Sequence, residues 1–219
     1  MTKLPAHTSQ HVANFLAKQS ASTARLIFAL DATMSRQPTW DTACQLQGQM
    51  FSTAGKLGML QIQLVYFRGT NECQASRWTS SAHELSRIMT GISCRSGETQ
   101  IGKILKHIKR QHAMEKVSAA IFVGDAMEED PAALYDAAAG LGVPLFLFQE
   151  GDDSTVERTY RELARLTNGA YCRFEPGAEA KLGELLKAVA AFAVGGVTAL
   201  ADQRADAAKL LLGQIKPQS

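Results

Sequence analysis

Arg25-Leu26-Ile27-Phe28-Ala29-Leu30-Asp31-Ala32-Thr33-Met34-Ser35 is the stretch whose reading decides the fold. A short, uninterrupted apolar run is the mark of a strand buried on both faces, as in a parallel sheet. Here the run ends on Asp31, and hydroxyl residues follow at alternating positions. In an open α/β sheet, chemistry gathers just past the carboxyl ends of the strands. Asp31, Thr33 and Ser35 fall there, on the loop leading into the next helix. All three are hard oxygen donors of low total charge, which suits Mg²⁺ better than Zn²⁺.

Working outward, the same kind of strand recurs and alternates with helical patterns. Pro38 stands near a helix start. Trp40, Ala43, Cys44, Met50, Phe51, Ala54 and Leu57 then repeat with a 3.6-residue period, predicting a helix over 38–56. Residues 58–67 read as a strand, Gly69-Thr70-Asn71 as a turn, and 73–78 as a short antiparallel edge strand. Ser80 and Ser81 are candidate N-caps for a helix through Met89. A loop over 94–100 opens a helix with Ile101, Ile104, Leu105 and Ile108 on one face. Strands are predicted at 117–125, 142–148 and 170–174, with helices at 131–141, 154–167 and 179–193 between and after them. Gly195-Gly196 then breaks the chain, and a final helix carries Val197, Leu200, Ala201, Ala208, Leu211 and Leu212 on one side. This alternation implies an α/β, doubly wound, mostly parallel Rossmann-like sheet of order 3-2-1-4-5-6, with one antiparallel edge strand.

In that order the strands ending at Asp31 and Asp125 are neighbours, and the loop carrying Thr99 crosses the same end. Asp31-x-Thr33-x-Ser35, Gly97-x-Thr99 and Val123-Gly124-Asp125 together resemble the metal-ion-dependent adhesion site of von Willebrand factor A (VWA) domains. The resemblance covers roughly 22–192, and the chain looks like a bacterial-type, stand-alone cytoplasmic member. Two positions depart from the family pattern. Thr33 replaces the more frequent serine but keeps its donor oxygen, and the glycine beside Asp125 precedes it rather than follows.

The resemblance implies a Mg²⁺ site, with Mn²⁺ or Ca²⁺ as alternatives. Thr33, Ser35 and Thr99 would offer hydroxyls, while Asp31 and Asp125 would hold coordinated waters. A Glu or Asp from a partner protein would complete the coordination, giving a non-enzymatic protein–protein interaction module. An AAA+ ATPase or chaperone-like system is the partner that the family suggests. Each residue also has a plainer role. Thr33 and Ser35 suit the cap of the helix near Pro38, Thr99 suits an N-cap, and Asp125 suits a turn.

Composition narrows the field. With 23 Lys+Arg against 21 Asp+Glu, the net charge of +2 gives no global push toward nucleic acid or anionic membrane. The N-terminus lacks an apolar core of signal-peptide type, and the apolar stretch 185–200 is broken by Lys187, so a cytoplasmic protein is expected. His7 and His11 lack a third ligand or an intervening Glu, and residues 5–20 read as an amphipathic helix carrying Val12, Phe15 and Leu16. The organisation expected is a helical extension at 1–21, the VWA domain at 22–194 and a second helical extension at 195–219.

The four cysteines, at 44, 73, 94 and 172, show no zinc spacing and read as free thiols, with a Cys73–Cys94 bridge left open. Lys103, Lys106, His107, Lys109 and Arg110 read as a solvated basic helix face. Glu128-Glu129-Asp130 lies beside the metal loop, where it would either raise cation affinity or repel an acidic partner.

Two other functions compete. In a metal-dependent phosphohydrolase Asp31 would be the nucleophile, but a haloacid-dehalogenase-type site wants a second Asp where Thr33 stands. No P-loop, Gly-x-Gly-x-x-Gly or Gly-x-Ser-x-Gly motif is present. An RNA-binding VWA protein would need a strong positive field or stacking aromatics near the site.

Overall fold

The computed structural model describes residues 23–215, so the predicted helix at 5–20 and the His7/His11 pair lie outside the described residues. Six strands form one sheet: β1 (Ala24–Asp31), β2 (Leu60–Arg68), β3 (Glu72–Ala75), β4 (Ala119–Gly124), β5 (Leu145–Glu150) and β6 (Ala170–Phe174). Their order is β3-β2-β1-β4-β5-β6. Every pairing is parallel except β2 with β3. The expected topology is therefore the observed one.

Helices cover both faces because each central strand is apolar on both sides. Leu26, Phe28 and Leu30 point into one core, and Ile27 and Ala29 into the other. The first core is closed by α1 (Gln37–Ala54), α2 (Ala82–Thr90), α6 (Glu179–Ala201) and α7 (Asp206–Leu212). The second is closed by α3 (Ile101–Met114), α4 (Pro131–Ala138) and α5 (Ser154–Leu166). Trp40 sits fully buried on α1, and its indole N–H donates to the Met89 carbonyl at 3.2 Å, tying α1 to α2. Removing a ring such as Phe28 from this packing costs about 3–5 kcal/mol.

Several local expectations need correction. The strand expected at 142–148 begins only at Leu145, because Gly142 takes φ 72° and Pro144 supplies no N–H for a ladder. It runs on to Glu150, so β5, like β1, ends on a carboxylate. The final helix is split: α6 kinks at Gly196, whose φ of 65° is left-handed, and the chain breaks again after Ala201 before α7 starts. Gln214, just past α7, accepts from the Tyr171 N–H at 3.0 Å and donates to the Tyr171 carbonyl at 2.8 Å. Its amide thus covers backbone groups on the edge strand β6, which would otherwise be open to pairing with another chain.

Cys73 packs against the second core and Cys94 lies in the first, so the two sit on opposite faces of the sheet and all four cysteines are free. His107 is buried against Gln63 at 2.8 Å rather than part of the basic face, and burial lowers its pKa. Among the described residues, α6 is long and apolar enough to cross a membrane, with a mean hydropathy of 1.6. Leu182, Leu185, Leu186 and Val189 on it are buried in the first core.

Candidate functional site

Strand register brings the motif together. Leu30 pairs with Val123, so Asp31 and Asp125 leave the sheet side by side at its carboxyl end. Asp31 is 3% exposed, and its Oδ1 accepts the Thr33 N–H at 2.7 Å. That bond turns the chain sharply and brings the Thr33 and Ser35 hydroxyls within 3.3 Å of each other. The Ala32 N–H donates to the Phe67 carbonyl, and the Arg95 N–H donates to the Ala32 carbonyl, both at 3.0 Å, which anchors this loop to its neighbours.

The second loop reaches the site through a close backbone approach. A Cβ on Gly97 would stand 2.2 Å from the Gly69 carbonyl oxygen, so only glycine lets 94–100 cross here. Thr99, 7% exposed, then faces the third loop, where its hydroxyl donates to Glu128 at 2.6 Å and accepts from the Glu128 N–H at 3.1 Å. Glu129 receives the N–H groups of Ile101 and Gly102 at the start of α3. The acidic loop is thus a clamp that joins the second and third motif segments.

The glycine before Asp125 has a packing cause. A Cβ at Gly124 would meet the Phe122 ring at 2.9 Å and the Tyr160 hydroxyl at 3.1 Å. Tyr160 in turn donates to the Ala126 carbonyl at 3.2 Å, holding the loop beyond Asp125.

Asp31, Thr33, Ser35, Thr99 and Asp125 line one cleft of about 230 Å³, together with Met34, Ser96, Gly97, Ala126 and Glu128. The plainer capping roles are not taken up. Neither the 3₁₀ turn Met34–Arg36 nor α1 has a side-chain cap, the N-cap of α3 is Gln100, and that of α4 is Asp130. Met34 stands 58% exposed at the rim.

Arg36, Glu150 and the particular use of Glu128 were not evident from sequence. Nη2 of Arg36 lies 3.0 Å from Asp125 Oδ2, while Nη1 pairs with Glu150, which also accepts the Thr39 hydroxyl. Arg36 directly follows Ser35, and Glu150 ends a strand at the same carboxyl end of the sheet as Asp31. Those two positions were the available signal.

Burial governs the charges. Desolvation pushes the Asp31 carboxyl up to about 6, against the Thr33 hydrogen bonds that lower it. Desolvation raises Asp125 as well, opposed chiefly by Arg36. Asp125 Oδ1 is buried with no hydrogen-bond partner. Neighbouring, desolvated carboxylates with an orphaned oxygen are what a cation or its bound water relieves, and the three hydroxyls beside them are neutral hard donors. The residues present therefore fit a small divalent ion. Among the described residues no three His, Cys, Asp or Glu side chains gather in a metal-holding group, so a zinc-type site is not the pattern here.

No protein-family profile matches the sequence, and no curated protein matches it either. Solved structures do match. A von Willebrand factor type A protein from Catenulispora acidiphila aligns with TM-score 0.63 at 18% identity, over 80% of this chain and 43% of that one. This chain thus spans less than half of that protein's length. BatB from Bacteroides thetaiotaomicron aligns with TM-score 0.54 at 20% identity, over 74% of this chain and 96% of that one. The SpRpn10 VWA domain aligns with TM-score 0.58 at 12% identity, over 73% and 95%. The fold is that of a VWA domain.

Proposed function

We propose that this chain is a non-enzymatic, divalent-metal-dependent protein–protein interaction module. The observation that carries the reading is the convergence of three hydroxyls, none of them spent on a helix cap, with two desolvated carboxylates in one cleft. Thr33, Ser35 and Thr99 would hold the ion, and Asp31 and Asp125 would hold its waters. Bound there, Mg²⁺ would supply an electrophilic position that a partner's Glu or Asp fills, because a metal ringed mainly by neutral oxygens keeps its affinity for an external anion. Exposed Met34 at the rim offers that partner an apolar contact beside the carboxylate. Neighbours of this fold include the human COPII-coat protein Sec24c and a pilus adhesin from Lactobacillus rhamnosus GG, an adhesion protein by its name.

The test is a pull-down with the purified chain, run with Mg²⁺ and with chelator. Release of a co-purifying protein by chelator, and its loss with Asp31→Ala, are the expected results. Turnover of a generic phosphate ester that needs Mg²⁺ and Asp31 would replace this reading with the phosphohydrolase one.

A further inference from the structure

We propose that Glu128 is a carboxylate of the metal site, one that the family pattern does not contain, and that it outweighs Asp125 in holding the cation. The proposal rests on the metal-dependent reading above and names a residue of that same site.

Two pairings at the cleft carry it. In the first, Asp125 is engaged by the Arg36 guanidinium at 3.0 Å. Arg36 is itself fixed, with 12% of its side chain exposed and its other terminal nitrogen on Glu150. A largely buried positive charge at that distance, though shared with Glu150, offsets part of the attraction Asp125 offers a second cation.

In the second, Glu128 is an exposed residue that no ion pair engages among the described residues. Its Oε2 takes both the backbone N–H of Thr99, at 3.0 Å, and the Thr99 hydroxyl, at 2.6 Å. The Thr99 oxygen accepts one hydrogen bond in return, from the Glu128 N–H, and keeps a lone pair for a metal. An ion at about 2.1 Å from that oxygen lies within about 5 Å of Glu128 Oε2, whatever its direction. The Thr99 site and the Glu128 charge cannot be separated. Glu128 also lines the cleft, and its position follows from the clamp between the second and third loops rather than from acidic character alone.

The test is a Mn²⁺ titration of the chelator-stripped full chain, with free Mn²⁺ read by its solution EPR signal. Wild type is compared with Glu128→Gln, Glu128→Ala, Asp125→Asn and Asp31→Asn, all checked for folding by circular dichroism. Glu128→Gln keeps an acceptor for the Thr99 bonds and removes only the charge. It is expected to raise the Mn²⁺ Kd by about tenfold or more, and Asp125→Asn by less.

A Glu128→Gln variant that binds like wild type, with only Glu128→Ala weakened, would reduce Glu128 to a loop brace and overturn the proposal. So would an Asp125→Asn loss equal to or larger than that of Glu128→Gln. Failure of the underlying reading looks different: wild type binds no Mn²⁺, or Asp31→Asn binds it as well as wild type.

Discussion

Replacing Asp31 by Asn is expected to stabilise the metal-free protein and to abolish its response to metal. The Asp31 carboxyl is raised from its ordinary 3.8 to about 6, with desolvation the largest cause. A group whose folded pKa exceeds its unfolded value binds more protons when folded. Stability is therefore fullest below about pH 4 and falls as the pH rises toward 6, as far as this group decides it. At 1.36 kcal/mol for each tenfold change, the full effect is about 3 kcal/mol. An asparagine at 31 keeps the oxygen that accepts the Thr33 N–H but carries no charge to desolvate. In chelator at pH 7.5, the Asp31→Asn variant should melt higher than wild type, by up to about 6–12 °C for a chain of this size.

Saturating Mn²⁺ should reverse the order. Binding to the folded state alone adds about 4.1 kcal/mol at a thousandfold excess over Kd, more than the advantage of about 3 kcal/mol that the variant holds in chelator, and only wild type should gain it. The assay is a set of melts from pH 4 to 8, with chelator or Mn²⁺. If the metal-free Asp31→Asn variant is no more stable than wild type at pH 7.5, the desolvation argument fails. If both proteins gain equally from metal, the site assignment fails.

Thr99→Val keeps the side chain's shape and removes its hydroxyl. It should lose the Mn²⁺-induced rise in melting temperature, and the lost bond to Glu128 should cost about 1 kcal/mol in chelator. Gly97→Ala should displace the 94–100 loop from Gly69 and weaken Mn²⁺ binding in the EPR titration while the sheet, seen by circular dichroism, persists. Gln214→Ala should uncover the β6 edge, lowering stability by about 1–2 kcal/mol and raising self-association in sedimentation velocity. RNA binding, measured by filter retention, should be absent at physiological salt, because His107 is withdrawn from the basic face and the net charge is only +2.

The sequence by itself determined the layering and the end of the sheet at which the candidate site lies. The run Leu26–Leu30 and its counterpart at Ala119–Gly124 are apolar at every position or nearly so, and that pattern has few homes besides a sheet covered on both faces. Periodicity is a local record of burial, so strands, helices and their order could be read from it. That Asp31 and Asp125 leave neighbouring strands at one end of the sheet was legible because strand ends in a doubly wound sheet converge by topology; Thr33, Ser35 and Thr99 were singled out through the resemblance, and the structure places them in the same cleft.

The tertiary structure decided what those residues meet. Arg36 reaches Glu150 across 114 positions of chain, and Glu128 reaches Thr99 across 29. Such pairings leave no periodic trace, because a charged side chain near a strand end looks the same whether it faces water or a buried carboxylate. Likewise, the glycine before Asp125 departs from the family pattern for a reason visible only in the tertiary structure, where Phe122 and Tyr160 leave no room for a side chain. Burial of Asp31, and so its raised pKa, also depends on residues far from it in the chain that line the same cleft. No single stretch of sequence contains that fact.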